Sequence, residues 1–274
     1  MNSHLVTVAW LHEHLHAGNL VILDASIPKA GLGEDTLTDV LIPGARFMDL
    51  KNSWADPGAS FPNTMLGPER FQEEARNLGI NRDSAVVVYD QHGIYSSARA
   101  WFMLRSMGHE NVAVLDGGLP AWQKAGHEVV PKATFHGTEG NFISDPQPGF
   151  FVDHLEVLQE LENASYQVLD ARARDRFLGL VKEPREGLRS GHIPNSKSMP
   201  YSDLQKEGHM KDSRALEELF SGCSTKDQSL IFSCGSGITA CVLALGAELA
   251  GRPSGAVYDG SWTEWGSRHE LPIE

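Results

Sequence analysis

Cys234 opens the run Cys234-Gly235-Ser236-Gly237-Ile238-Thr239, the strongest chemical signal in the chain. It follows the apolar stretch Leu230-Ile231-Phe232 and precedes a helical pattern. The cysteine is therefore expected at the carboxyl end of a strand in an open parallel sheet, where ligands bind. Gly235 and Gly237 let the backbone turn tightly and aim several N–H groups inward. A helix expected to begin near Ile238 adds its positive end to the same field. A thiol held there should ionise more readily than a free cysteine, and the thiolate is the form that attacks sulfur. Ser236 and Thr239 can donate hydroxyl hydrogen bonds into the loop. Two plainer readings compete: a buried structural cysteine, and a glycine-rich loop that binds phosphate without covalent chemistry.

The chain supplies an internal control, because its halves echo each other. Val21-Ile22-Leu23-Asp24-Ala25 recurs as Val168-Leu169-Asp170-Ala171, and Ile42-Pro43-Gly44-Ala45 as Ile193-Pro194-Asn195-Ser196. Ala85-Val86-Val87-Val88-Tyr89-Asp90 recurs as Leu230-Ile231-Phe232-Ser233-Cys234. Leu115-Asp116-Gly117-Gly118, with Trp122 beyond it, recurs as Tyr258-Asp259-Gly260-Ser261, with Trp265 beyond it. This order points to a duplicated domain of about 130 residues. Residues 1–131 are read as the N-terminal copy and 151–274 as the C-terminal copy. Residues 132–150, with Gly137, Gly140, Pro146 and Pro148, suit a linker crossing the surface. Aligning Gly93 with Gly237 puts Asp90 where Cys234 stands. The first loop, Asp90-Gln91-His92-Gly93-Ile94-Tyr95, has no thiol, and its carboxylate would repel an anion. The first copy is read as inactive and the second as catalytic.

The elements that must position these loops follow from the apolar pattern. In the first half the pattern predicts a helix over 67–79, with Pro68 near its start and Gly79 at its end. A buried strand over 85–89, a helix over 96–107 and a strand over 112–115 follow. The second half repeats the unit with a strand over 229–233, a helix over 238–250 and a strand over 256–258. The fold class is α/β, each copy a mainly parallel sheet flanked by helices.

Composition narrows the partners. The 274 residues carry 23 basic against 36 acidic side chains, a net charge of −13. Such a chain gains nothing from a phosphate backbone, so nucleic acid is not an expected partner. An anionic substrate must be drawn by a local group of arginines or by helix N-termini. No apolar run reaches about 18 residues, so no membrane association is expected, and the N-terminal residues lack a secretory pattern. Cys223, Cys234 and Cys241 form neither a disulfide framework nor a zinc motif. A reducing cytoplasm, where a thiol stays free, is the expected location. Cys241, about two helical turns beyond Cys234, is expected to pack in the helix. Cys223, in a polar turn, is expected to have no role. His12, His14 and His16 are spaced by two and do not share a helix face, so they are read as solvated surface. Trp262 and Trp265 are expected to pack under the second copy.

With these motifs together, the chain resembles the rhodanese family, and within it the tandem-domain members that act on mercaptopyruvate. The resemblance rests on Ile42-Pro43-Gly44-Ala45, Leu115-Asp116-Gly117-Gly118, Gly191-His192-Ile193-Pro194, the loop 234–239, and Tyr258-Asp259-Gly260-Ser261-Trp262-Thr263-Glu264-Trp265. It implies two tandem rhodanese-like domains, with catalysis by Cys234 in a loop formed by Gly235, Ser236, Gly237, Ile238 and Thr239. Members that use thiosulfate carry a basic residue directly after the cysteine; mercaptopyruvate-type members have an uncharged loop close to the one here. A family segment of the form Asp-x-Arg-x-x-x-Arg-Phe binds the substrate's carboxylate and ketone. It matches Asp170-Ala171-Arg172-Ala173-Arg174-Asp175-Arg176-Phe177, followed by Gly179 and Glu183-Pro184-Arg185. The resemblance thus assigns substrate binding to Arg176 and Arg185, with Arg189 competing for the second place.

Some relatives also use a serine, histidine and acid set, the last two from the first domain. Here Thr64 stands at the histidine's place in Pro62-Asn63-Thr64-Met65-Leu66, and the acid's place falls near Lys51. The activity implied is transfer of sulfur from 3-mercaptopyruvate through a Cys234 persulfide to a thiol acceptor such as thioredoxin, or to cyanide, releasing pyruvate. No metal or organic cofactor is implied. Thiosulfate:cyanide sulfurtransfer through the same cysteine is the nearest rival. A non-catalytic sulfur-relay or docking module is a third reading. An arsenate reductase or phosphatase would carry a longer loop ending in arginine.

Overall fold

The computed structural model describes residues 1, 3–33, 36–253 and 255–274. The chain separates into two compact units. The first comprises Met1–Pro57, Met65–Gln147 and Glu207–Met210; the second comprises Gly58–Thr64, Pro148–Lys206 and Lys211–Glu274. Residues 58–64 therefore group with the unit that holds Cys234.

The first unit contains β1 (Leu5–Val6), α1 (Val8–His14), β2 (Leu20–Asp24), β3 (Val40–Leu41) and β4 (Ala45–Phe47). It continues with α2 (Pro68–Asn77), β5 (Ala85–Tyr89), α3 (Ser97–Ser106), β6 (Val112–Leu115), α4 (Gly118–Lys124) and β7 (Val130–Pro131). Five strands form one sheet in the order β1-β6-β5-β2-β4. Every pairing in it is parallel. Val86, Val87 and Val88 are all buried, as a parallel strand covered on both faces requires. Pro68 takes the first helical position of α2, where its missing N–H costs nothing.

The remaining elements are β8 (Phe151–Val152), α5 (His154–Glu160), β9 (Tyr166–Asp170), α6 (Arg174–Phe177) and β10 (Lys197–Ser198). Then come β11 (Gln205–Lys206), β12 (His209–Met210), α7 (Ser213–Cys223), β13 (Ser229–Ser233), α8 (Ala240–Leu249), β14 (Ala256–Tyr258) and α9 (Ser261–Trp265). The sheet of the second unit runs β10-β9-β13-β14-β8, again with every pairing parallel. Read from the other edge this is the order of the first sheet, so the duplication seen in sequence is a duplication of topology. β5 and β13 are the matching central strands, and Asp90 and Cys234 are the residues that follow them.

Local signals account for the second unit's elements. Asp153 and Glu156 form a reciprocal capping box at the start of α5, and the Asp212 side chain caps α7. Residues Ala240 to Ala247 of α8 are all buried, as an apolar helix covered on every side must be. Tyr258, Trp262 and Trp265 pack into one core with Val168, Ile193 and Ile231, and the indole N–H of Trp265 is satisfied by the carbonyl of Pro272 at 2.7 Å.

Two expectations shift. The helix after the cysteine starts at Ala240, not near Ile238, because Ile238 and Thr239 complete the loop. Of the segment 132–150, residues 132–147 group with the first unit and 148–150 with the second. Phe142 is buried against Phe71, and the amides of Asp145 and Gln147 bond the carbonyls of Met107 and Ser106.

Candidate active site

Cys234 sits directly after β13 and is 1 % exposed. Its amide donates to the hydroxyl of Ser261 at 3.1 Å, and that hydroxyl lies 4.0 Å from the Cys234 sulfur. Ser261 holds a left-handed backbone, φ 48°, at the head of α9. The α9 amides of Trp262 and Thr263 bond the carbonyls of Cys234 and Gly235, so α9 fixes the front of the loop. At its back, the Cys241 thiol reaches the Gly237 carbonyl at 3.4 Å. Cys241 packs within α8, as its place in the sequence implied.

Arg176 lies beside Gly235, and Arg185 is linked to it through Thr263. The Arg176 guanidinium is gripped by Glu183. Its Nη2 lies 3.3 Å from where a Cβ on Gly235 would stand, so any side chain at 235 would press on a cation that is already pinned. Arg185 donates to the Thr263 hydroxyl at 3.1 Å, and that hydroxyl donates in turn to the Gly235 carbonyl. Glu183 also accepts from Arg172 at 2.9 Å. Arg172 is buried, bound to Asp170 and to the Gly191 carbonyl, and stacked 4.4 Å over the Trp262 ring. A buried chain of alternating charge, Asp170, Arg172, Glu183 and Arg176, thus runs from the end of β9 to the loop; satisfied in this way it orders the arginine that meets solvent. Arg189 is used otherwise. Its guanidinium holds the carbonyls of Trp265, Gly266, Arg268 and Leu271, which leaves Arg185 as the second arginine at the loop.

The loop after β5 shows what the same backbone does with a carboxylate. The Asp90 side chain accepts the amides of His92, Tyr95, Ser96 and Ser97 at 2.7–3.0 Å, and the Ser97 hydroxyl at 2.7 Å. At the matching positions of the second loop, the amides of Ser236, Thr239 and Ala240 meet no acceptor among the described residues. Converging amides of this kind form an anion-binding concavity.

Residues 7–125 and 153–268 match the family model described as Rhodanese-like domain. The chain belongs to the rhodanese family. It is 36% identical over 270 residues to a protein named 3-mercaptopyruvate sulfurtransferase from Escherichia coli K12, covering 97% of this chain and 95% of that one. It is also 36% identical over 281 residues to one named thiosulfate sulfurtransferase from Mus musculus, covering 95% and 91%. Among solved structures it superposes on SseA from Escherichia coli, described as having the rhodanese fold, with TM-score 0.85 and 33% identity over 95% of this chain and 99% of that one.

Within this rhodanese frame, the contact to Ser236 comes from an unexpected residue. Thr64 turns its hydroxyl to the Phe61 carbonyl at 2.8 Å. Its neighbour Asn63 instead donates to the Ser236 hydroxyl at 3.0 Å and to the Ser236 carbonyl at 3.3 Å. Lys51, near the acid's expected place, is exposed and belongs to the other compact unit. Sequence reasoning missed Asn63, Glu183 and Thr263. All three stand in family-like segments, but only the folded chain shows that Asn63, rather than its neighbour Thr64, meets Ser236.

The other reactive side chains resolve more simply. Cys223 closes α7 rather than sitting in a turn, and burial pushes its thiol above the usual range. His12 and His16 are exposed and His14 is half-buried; His14 stacks on Trp10 and His12 on His127. Among the described residues, no group of three His, Cys, Asp or Glu side chains could hold a metal ion, and no helix is long and apolar enough to cross a membrane.

Proposed function

We propose that this sulfurtransferase takes sulfur from 3-mercaptopyruvate as a persulfide on Cys234 and passes it to a thiol acceptor, thioredoxin or a small thiol, or to cyanide. The observation that carries the donor choice is the Arg176 guanidinium against Gly235. It accounts for a loop without a basic side chain after the cysteine. It also supplies the positive charge from outside the loop, where a 2-oxo acid presents one carboxylate and one ketone.

Arg176 and Arg185 hold the substrate's carboxylate and ketone. The Cys234 thiolate attacks the substrate sulfur, and the carbon–sulfur bond breaks. Its electron pair passes through the adjacent carbon to the ketone oxygen as an enolate, which takes a proton to give pyruvate. The outer sulfur of the persulfide carries the negative charge, which the amides of Ser236, Thr239 and Ala240 are available to bind. An acceptor thiolate then attacks that outer sulfur and returns the Cys234 thiolate, which gives ping-pong kinetics.

Thiosulfate as the preferred donor is the second reading, kept open by the equal identity to the mouse relative. Intact-mass analysis after incubation with mercaptopyruvate should show a gain of about 32 Da on Cys234. Cys234→Ser should lower transfer more than about 1000-fold. A clear preference in kcat/KM for thiosulfate overturns the donor choice, and substantial transfer by Cys234→Ser overturns the mechanism.

A further inference from the structure

We propose that Asn63 is a positioning residue that fixes the Ser236 hydroxyl as a hydrogen-bond donor to the substrate. This rests on the reading that the Cys234 loop carries the sulfur transfer.

The orientation of the Asn63 amide follows from its partners. A backbone carbonyl can only accept, so the amide atom facing the Ser236 carbonyl at 3.3 Å must be the nitrogen. The same nitrogen lies 3.0 Å from the Ser236 Oγ. The hydroxyl is therefore the acceptor of that bond, and its own hydrogen is left to give elsewhere. Ser236 is 9 % exposed, and among the described residues its hydrogen meets no acceptor. A hydroxyl whose acceptor side is occupied, standing two residues after Cys234, is set to donate to the oxygen that gains charge as the enolate forms.

The backbone is built for this contact. Asn63 has φ 63°, the left-handed region that asparagine tolerates better than most residues. The turn is held by the Thr64 hydroxyl on the Phe61 carbonyl, and Arg268 lies 5.9 Å from the Phe61 ring. Residues 58–64 and Ser236 lie in one compact unit. An amide neither gains nor loses a proton across the working pH range. The link holds Ser236 without relaying protons, unlike the histidine that some relatives place nearby.

The test uses the full chain carrying Asn63→Gly, Asn63→Asp, Ser236→Ala, and the pair Asn63→Gly with Ser236→Ala. Glycine keeps the left-handed backbone while deleting the amide. Asn63→Gly is expected to lower kcat about 10-fold with KM changed less than about twofold. The double variant should then be no slower than Ser236→Ala alone. In Asn63→Asp the ionised carboxylate can only accept, so it captures the Ser236 hydrogen. Activity should fall as pH rises through the titration of that new carboxyl, a limb that wild type lacks. Additive losses in the double variant, or a wild-type pH profile for Asn63→Asp, overturn the proposal. The series is run with both mercaptopyruvate and thiosulfate. A preference for thiosulfate unseats only the donor choice, because the same ratios are then read on that donor. Absence of transfer from either donor by wild type overturns the functional reading and this inference with it.

Discussion

The loop after β5 and the loop after β13 are one backbone device with two contents. In the first, Asp90 fills the concavity with its own carboxylate, which takes four amides and a hydroxyl. In the second, Cys234 brings a thiol, and three of the four matching amides, those of Ser236, Thr239 and Ala240, meet no acceptor among the described residues, while that of Cys241 bonds the Ile238 carbonyl. The partners differ in the same sense. Gly118 packs so closely on the first loop that a Cβ would lie 2.3 Å from the Asp90 carbonyl. Its counterpart Ser261 carries a side chain whose hydroxyl takes the Cys234 amide. Among the described residues the Asp24 side chain at the end of β2 is hydrogen-bonded by Ser26 alone, whereas Asp170 at the end of β9 has Arg172. The comparison teaches that the amide-lined loop belongs to the fold, while the two copies differ in what fills it, a carboxylate in one and a thiol with arginines nearby in the other.

The sharpest way to break this comparison is to give the second loop the first loop's content. Cys234→Asp should fold, because the amides that bind a carboxylate after β5 have counterparts after β13. Sulfur transfer should fall more than about 1000-fold, since no nucleophilic sulfur remains. Its urea midpoint should match or exceed that of Cys234→Ser. A collapse in stability on introducing the aspartate would show that the two loops are not equivalent.

Much of this equivalence was legible in the sequence. The strands over 85–89, 112–115, 229–233 and 256–258 stand at the predicted bounds, because unbroken apolar runs between turn residues leave little freedom in where a buried parallel strand begins and ends. The loop was legible because a glycine beyond each strand, Gly93 and Gly237, holds the positive φ the turn needs. What could not be read was contact made at long range. Asn63 and Ser236 are 173 residues apart, and no local pattern distinguishes an asparagine that meets a loop from one that faces water. Arg185 and Arg189 are likewise four residues apart and alike in pattern. Only the folded chain shows that one reaches Thr263 while the other binds four carbonyls at the chain's end.

The ends of β2 and β9 offer a second, smaller contrast that pH can expose. Burial pushes the Asp24 carboxyl up from 3.8 to about 6, only partly opposed by the hydrogen bonds from Ser26. Because the folded chain then holds this proton more tightly than the unfolded one, the group's contribution is full below about pH 4. It is lost as pH rises through about 6, an effect of about 3 kcal/mol over two pH units. Asp24→Asn should remove that slope from the pH dependence of the unfolding free energy. The wild-type minus variant difference should therefore fall as pH rises from about 4 to 6. A flat difference would show that burial does not raise the Asp24 carboxyl in the folded chain.

The finest contrast lies between the two arginines near the catalytic loop. The Arg185 side chain is exposed and donates to the Thr263 hydroxyl, which itself grips the Gly235 carbonyl. Arg185→Ala should raise KM for mercaptopyruvate about 10-fold, the loss of one charge-assisted contact to the substrate carboxylate, with little change in thermal midpoint. Arg189→Ala should do the opposite. It strands four carbonyls that the guanidinium now satisfies, so stability falls while KM stays within about twofold of wild type. If Arg185→Ala leaves KM unchanged and Arg189→Ala raises it, the substrate reads the chain's end rather than Thr263. The second loop would then owe its charge to Arg176 alone, the cation that a side chain at Gly235 would press against.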